Sequence, residues 1–138
     1  MPERPIALIT GATSGIGLAI ARKFAANQYD LIVHGGRNQA KLDAALREFE
    51  NEPIECHGFL ADFRSANWDQ ITDRAWNWQN RVDVLVNNAG VDLLTEQTTL
   101  DWVEKSERLW QVDVLSTQEI SRRIGERMIA SSEDGARV

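Results

Sequence analysis

Apolar positions along the chain follow two alternating rhythms. The runs "PIALIT" (5–10), "DLIVHG" (30–35) and "VDVLVNNAG" (82–90) are rich in aliphatic residues and stop at glycine or turn-forming residues, the pattern of strands buried on both faces. "IECHGFLADF" (54–63) is a weaker run of the same kind. Between these runs the apolar spacing changes to three and four. "GIGLAIARKFAAN" (15–27) sets Ile16, Ile20 and Phe24 on one helical face. "NQAKLDAALREFE" (38–50) does the same with Leu42, Leu46 and Phe49, and Asn38 is placed to cap it. A third helix is predicted over 65–79, capped by Ser65, and 98–130 reads as one long helical stretch or two abutting helices. The closing residues 128–138, "MIASSEDGARV", read as the opening of a fifth strand.

The order β-α-β-α-β-α-β-α calls for a parallel sheet, because consecutive parallel strands need crossover connections. Right-handed crossovers and a glycine-rich first turn then predict a three-layer, doubly wound α/β sheet of order 3-2-1-4, its fifth strand truncated. No linker, repeat or low-complexity stretch breaks the pattern, so 1–138 is read as a single domain, incomplete at its C-terminal end.

Composition removes several function classes. Fifteen basic against 21 acidic residues leave a net charge of −6, which argues against nucleic-acid or anionic-membrane partners. No apolar stretch approaches the roughly 20 residues of a membrane span, and no signal peptide is visible, so a soluble, cytoplasmic protein is expected. Cys56 is the only cysteine, which excludes an internal disulfide, and neither His34 nor His57 has metal-ligand spacing, so no metal is expected. The five tryptophans, Trp68, Trp76, Trp78, Trp102 and Trp110, are expected to pack against the sheet or a partner.

The chemistry is concentrated in the first turn. "TGATSGIG" (10–17) places Gly11, Gly15 and Gly17 between a strand and a helix. Gly11 can take positive φ, Gly15 lets backbone approach a pyrophosphate, and Gly17 lets the helix pack close to the sheet. The helix N-terminus adds unpaired N–H groups and partial positive charge for phosphates. A glycine-rich turn without a ligand is the alternative. Arg37, in "HGGRN", stands where an NAD site usually shows an acid, which favours NADP(H) over NAD(H) through the 2′-phosphate. A solvated loop arginine is the rival reading.

The TGxxxGxG spacing together with "LVNNAG" (85–90), each closing a predicted strand, resembles the short-chain dehydrogenase/reductase family, and "ADF" (61–63) fits the same pattern. The resemblance covers essentially the whole chain and corresponds to the N-terminal, cofactor-binding half of a family member. It implies a Rossmann-like NAD(P)-binding domain in which Gly11, Thr13, Ser14, Gly15 and Ile16, with Gly17 behind them, wrap the pyrophosphate. Arg37 would hold the 2′-phosphate, Asp62 and Phe63 would border the adenine, and Asn88, Ala89 and Gly90 would line the ribose pocket with Val112 behind. A capping or turn role competes for Asp62, and a tight turn stabilised by asparagine competes for 87–90.

The resemblance also implies hydride transfer between nicotinamide and a carbonyl or alcohol, with a Tyr acid/base, an adjacent Lys, a Ser and an Asn. The sequence contains no Tyr-x-x-x-Lys: its one tyrosine, Tyr29, has Val33 four residues on. At the Asn position stands Asp113, which when ionised only accepts hydrogen bonds; a helix-face carboxylate without a role is the alternative. The chain is therefore expected to bind NADP(H) without turnover alone. A non-catalytic sensor or scaffold module and one half of a split enzyme are the alternatives. Leu109, Val112, Leu115 and Ile120 are expected to form an exposed strip on the 98–130 helix. With the open edge of the 82–90 strand, that strip would favour a homo-oligomer or a complementing C-terminal half.

Overall fold

A computed structural model of the chain describes residues 3–91 and 101–133. Four strands, β1 (Ile6–Ile9), β2 (Asp30–Gly35), β3 (Cys56–Leu60) and β4 (Val84–Val86), form one parallel sheet in the order β3-β2-β1-β4. Leu8 lies opposite Ile32 on one side and Leu85 on the other. The helices are α1 (Gly15–Ala26), α2 (Gln39–Arg47), α3 (Trp68–Trp76), α4 (Trp102–Leu109) and α5 (Ser116–Glu133). The 3-2-1-4 order is the one expected from the alternation of strand and helix patterns.

The pleat of the sheet sorts the core into two layers. Ile6, Leu8 and Ile32 point to one face with Phe59, Phe63, Ile71, Val112, Ile120 and Ile124, contributed by β3, the 3-10 turn after it, α3 and the long helical region. Ala7, Ile9, Leu31 and Val33 point to the other, against Leu18, Ala21 and Ala25 of α1 and Leu42 and Ala45 of α2. Both faces of β1 and β2 are covered, which is why these strands read as unbroken apolar runs rather than alternating ones.

Local signals act as expected at α2, where the Asn38 side chain accepts from the Lys41 N–H at 3.0 Å. At α3 the expected cap is displaced. Asp62 accepts from the Arg64 N–H and starts a separate 3-10 turn, Phe63–Ser65, so Ser65 ends that turn, and Asn67 caps α3 by accepting from Gln70. The buried face of α1 is also rotated from the expected one. Gly17, Leu18, Ala21 and Ala25 face the sheet, while Ile16 is 76% exposed.

The long helical region is one continuous path over 101–133. Asp101 and Glu104 form a capping box at its start, and a π-helical segment, Trp110–Leu115, joins α4 to α5. The helix continues to Glu133, so Met128 to Glu133 are helical rather than strand; 134–138 and the start of the predicted helix, 98–100, lie outside the described residues. The expected exposed strip is not found either: Val112 and Ile120 are buried in the sheet-facing core, and Leu109 and Leu115 are half-buried. The widened π turn rotates the helix face, and the exposed apolar side chains are Trp102, Val103, Trp110, Val114 and Ile129 instead. Trp68, Trp76 and Trp78 pack against the core as expected. Arg123 and Arg127 of α5 pair with Asp69 and Asp73 of α3, fixing the two helices side by side. Among the described residues, no helix is long and apolar enough to cross a membrane.

Candidate functional site

The C-terminal ends of the strands bring the candidate residues to one edge of the sheet. Gly11 (φ 64°) and Gly15 (φ 55°) both adopt the left-handed backbone that glycine takes without strain. Ser14 is the N-cap of α1 by backbone geometry, yet its side chain makes no capping hydrogen bond. The first turn of α1 thus presents its N–H groups and dipole without a side-chain oxygen in front of them. A Cβ on Gly15 would meet nothing, so this stretch of backbone is open to solvent.

The β4 turn is clamped onto the glycine turn. The Asn88 amide donates to the Thr10 carbonyl (3.1 Å) and the Gly11 carbonyl (3.0 Å). In return the Thr10 hydroxyl oxygen accepts from the N–H groups of Asn88 and Ala89, each at 3.0 Å. Asn88 therefore bridges two loops rather than stabilising its own turn, and Ala89 sits 2.8 Å from where a Gly11 Cβ would stand. The Asn88→Asp change would set a carboxylate against two carbonyls. It is expected to lower stability by about 2 kcal/mol in urea unfolding at neutral pH, with partial recovery once the carboxyl is protonated.

A cavity of about 230 Å³ opens beside this clamp, lined by Gly11, His34, Arg37, Asp62, Phe63, Ala89 and Gly90, with Val112 at its back. Arg64 and Arg108 add positive charge to its wall, and it borders a wider groove between the Phe63–Ser65 turn and α4. Arg37 is 69% exposed and lies 3.7 Å from the Asp62 carboxylate, whose close partner is Arg64 at 2.8 Å. Hydrogen bonding from Arg64 holds Asp62 at a pKa of about 2, well below the usual carboxylate range, with Arg37 adding a smaller pull. The capping role foreseen for Asp62 is thus realised at the rim of the cavity. Phe63 is buried, belonging to the core and lining the cavity as well.

Asp113 lies on the outer side of the π-helical segment, where its carboxylate accepts from the Val91 N–H at 2.8 Å. It pins the residues after β4 to the long helix, an acceptor's task that an ionised carboxylate performs well. Thr13, Ser14 and Ile16 stand on the glycine turn away from this contact, and Thr13 packs where a Gly35 Cβ would otherwise project. Thr10 and His34 are given no part in the site by the sequence, where Thr10 only opens the glycine motif and His34 only lacks metal-ligand spacing. Each is a polar residue buried at the end of an otherwise apolar strand run, which is the signal that marks them. Among the described residues, no cluster of His, Cys, Asp and Glu is arranged to hold a metal. Burial pushes the Cys56 thiol up to about 12, and the nearby charge of Asp30 adds to the shift.

A parallel 3-2-1-4 sheet with a glycine turn leading into α1 and an Asn-Asn-Ala-Gly turn after β4 defines an α/β protein of the Rossmann-like, dinucleotide-binding fold class. The chain belongs to the short chain dehydrogenase family, which it matches over residues 5–138. The 2-dehydro-3-deoxy-D-gluconate 5-dehydrogenase of Formosa agariphila is 29% identical over 127 residues, covering 90% of this chain and 47% of that protein. A metagenomic short-chain oxidoreductase solved in complex with NADP has a TM-score of 0.80 at 29% identity, over 92% of this chain and 57% of that one. L-Sorbose reductase from Gluconobacter frateurii, solved with NADPH and L-sorbose, has a TM-score of 0.81 at 28% identity, over 93% and 49%. The chain spans a third to a half of the length of the curated relatives it matches.

Proposed function

We propose that this chain binds NADP(H) across the C-terminal ends of β1, β2 and β4 and forms the cofactor-holding part of a carbonyl or alcohol oxidoreductase. The observation that carries the reading is a cavity at the strand ends lined by the left-handed Gly11, by Arg37 and by Ala89 and Gly90, on the same glycine turn that leads through the left-handed Gly15 into the uncapped N-terminus of α1. Thr13, Ser14, Gly15 and Ile16 would hold the pyrophosphate on the glycine turn and the N–H groups of the first turn of α1, with Gly11 and Gly17 shaping that turn. Asp62 and Phe63 would border the adenine, and Asn88, Ala89 and Gly90 the ribose, with Val112 behind. In a complete oxidoreductase built on this part, the bound nicotinamide would supply hydride transfer. Solved relatives complexed with NADP and NADPH support this choice of cofactor.

Preference for the 2′-phosphate rests on Arg37 and on Gly35 and Gly36, which leave the end of β2 without a carboxylate to take the ribose hydroxyls. The long, exposed pairing of Arg37 with Asp62 costs little to break, since such surface pairs contribute about 0–1 kcal/mol. A charge-assisted contact to phosphate is stronger, so NADPH is expected to bind roughly ten- to hundredfold more tightly than NADH. Calorimetric titration of both dinucleotides checks this, with the Arg37→Ala variant expected to lose the difference. Tighter binding of NADH would overturn the preference.

The 138 residues hold no Tyr-x-x-x-Lys, and Asp113 is occupied by the Val91 N–H, which favours a binding role without turnover for this chain by itself. No oxidation of NADPH is expected when the purified chain meets a panel of aldehydes and ketones. Sustained oxidation would show that another group delivers the proton. A second copy or a complementing C-terminal half belongs to the same proposal, on the strength of the exposed Trp102, Val103 and Trp110 of the long helix.

A further inference from the structure

His34 is only 2% exposed, and both of its ring nitrogens are engaged. Nδ1 accepts from the Gly11 N–H at 3.1 Å, and Nε2 lies 2.8 Å from the Ala61 carbonyl, which can only accept. The two contacts together require the neutral tautomer protonated on Nε2. The ring lies parallel to Phe63, with centroids 4.2 Å apart and planes within 4°, and is tilted against Phe59 at 5.4 Å.

The location makes these contacts informative. β1 and β3 do not touch, because β2 lies between them. The backbone at the end of β2 reaches both neighbours: the His34 carbonyl accepts from Ala12 at 2.9 Å, and the Gly35 carbonyl accepts from Ala61 at 3.0 Å. The His34 side chain repeats that reach on the cavity side, tying the turn after β1 to the end of β3 through one rigid ring. Gly11 and Ala61, the groups it holds, and Phe63, the ring it stacks on, all line the 230 Å³ cavity.

We propose that His34 is a positioning residue of the nucleotide pocket: it fixes the separation between the glycine turn and the Ala61–Phe63 wall, and so sets the width of the slot that receives the adenosine end of the dinucleotide. The inference rests on the dinucleotide reading given above. Neither nitrogen is available to the ligand, so the ring acts through Gly11 and Phe63 and not by contact with phosphate or base.

Three variants of the full 138-residue chain separate the two ends of the tie. His34→Leu fills the space and makes neither bond. His34→Asn keeps an acceptor for Gly11, and His34→Gln keeps a donor within reach of Ala61. With folding of each confirmed by its melt, NADPH and adenosine 2′,5′-bisphosphate are titrated into wild type and variants. The leucine variant is expected to lose roughly ten- to hundredfold in affinity for both ligands, and the two amides to recover part of it. Nitrogen-15 spectra of the wild-type imidazole supply a readout that does not depend on any variant folding. They are expected to show a neutral ring with its proton on Nε2. A ring protonated on Nδ1, or leucine-variant affinity equal to wild type, would overturn this inference alone. A wild-type chain that binds neither ligand would overturn the dinucleotide reading and this inference with it.

Discussion

Gly17→Ala is expected to destabilise the protein by about 3 kcal/mol, although alanine is the better helix former. A Cβ at this position would be driven into the Gly11 carbonyl and the Asn88 amide, far inside van der Waals contact. Neither neighbour can yield cheaply. The Gly11 carbonyl belongs to a turn whose φ of 64° is set by the chain's reversal, and the Asn88 amide is held by the Thr10 and Gly11 carbonyls. Relief would require α1 to lift from the sheet, uncovering Leu18 and Ala21. Gly125 of α5 is the internal control, since a Cβ there meets nothing within 4 Å. Gly125→Ala is expected to gain about 0.5–1 kcal/mol from helix propensity. Urea unfolding of the two variants checks both signs, and a neutral Gly17→Ala would mean that the packing of α1 on the β4 turn is looser than described.

Stability is expected to fall by about 3 kcal/mol as pH drops from 6.5 to 4. Burial lowers the His34 pKa from its ordinary 6.5 to about 4; the hydrogen bond to Ala61 opposes this, and the charge of Arg74 adds to it. The unfolded chain therefore takes up a proton in that window while the folded chain does not. The contribution is complete above the unfolded value and is lost as pH falls toward the folded one. A proton forced onto Nδ1 would face the Gly11 N–H, donor against donor. Half-buried His57 is shifted in the same direction by burial and adds to the same limb, whereas Asp62, at about 2, titrates below it. Melts across this range for wild type, His34→Gln and His57→Gln divide the effect. The larger flattening of the acid limb is expected in the His34 variant.

What the sequence reveals of this fold is what local pattern controls. β1 and β2 are covered on both faces, so their unbroken apolar runs carry the parallel sheet directly, and the glycine spacing marks the turn into α1. Asn38 caps α2 because nothing nearby competes, whereas Ser65 loses to Asn67 once Asp62 and Arg64 form their own turn. Misjudged features depend on the third dimension. Of Ile16, Ile20 and Phe24, which show helical spacing, Ile20 and Phe24 pack at the margin of the core and Ile16 is exposed, while the small residues Gly17, Ala21 and Ala25 are the ones that let α1 approach the sheet. The burial of Val112 and Ile120 depends on the π-helical segment and on salt bridges to α3 between residues 54 apart in sequence. At the site the glycine turn and Arg37 were legible. The ties that shape it, Thr10 with Asn88 and Gly11 with His34, join strand ends 78 and 23 residues apart and leave no local pattern.

A dinucleotide seated on the glycine turn and running along the strand ends to Arg37 would change the surroundings of a defined set of backbone amides. Amide spectra of the isotope-labelled chain, recorded through a titration with NADPH, test it residue by residue. The largest shifts are expected at Gly15, Ile16 and Gly17, with further shifts at Arg37, Phe63 and Ala89 and little change on the outer faces of α4 and α5. An unchanged glycine turn, or shifts gathered on the exposed side chains of the long helix, would contradict it.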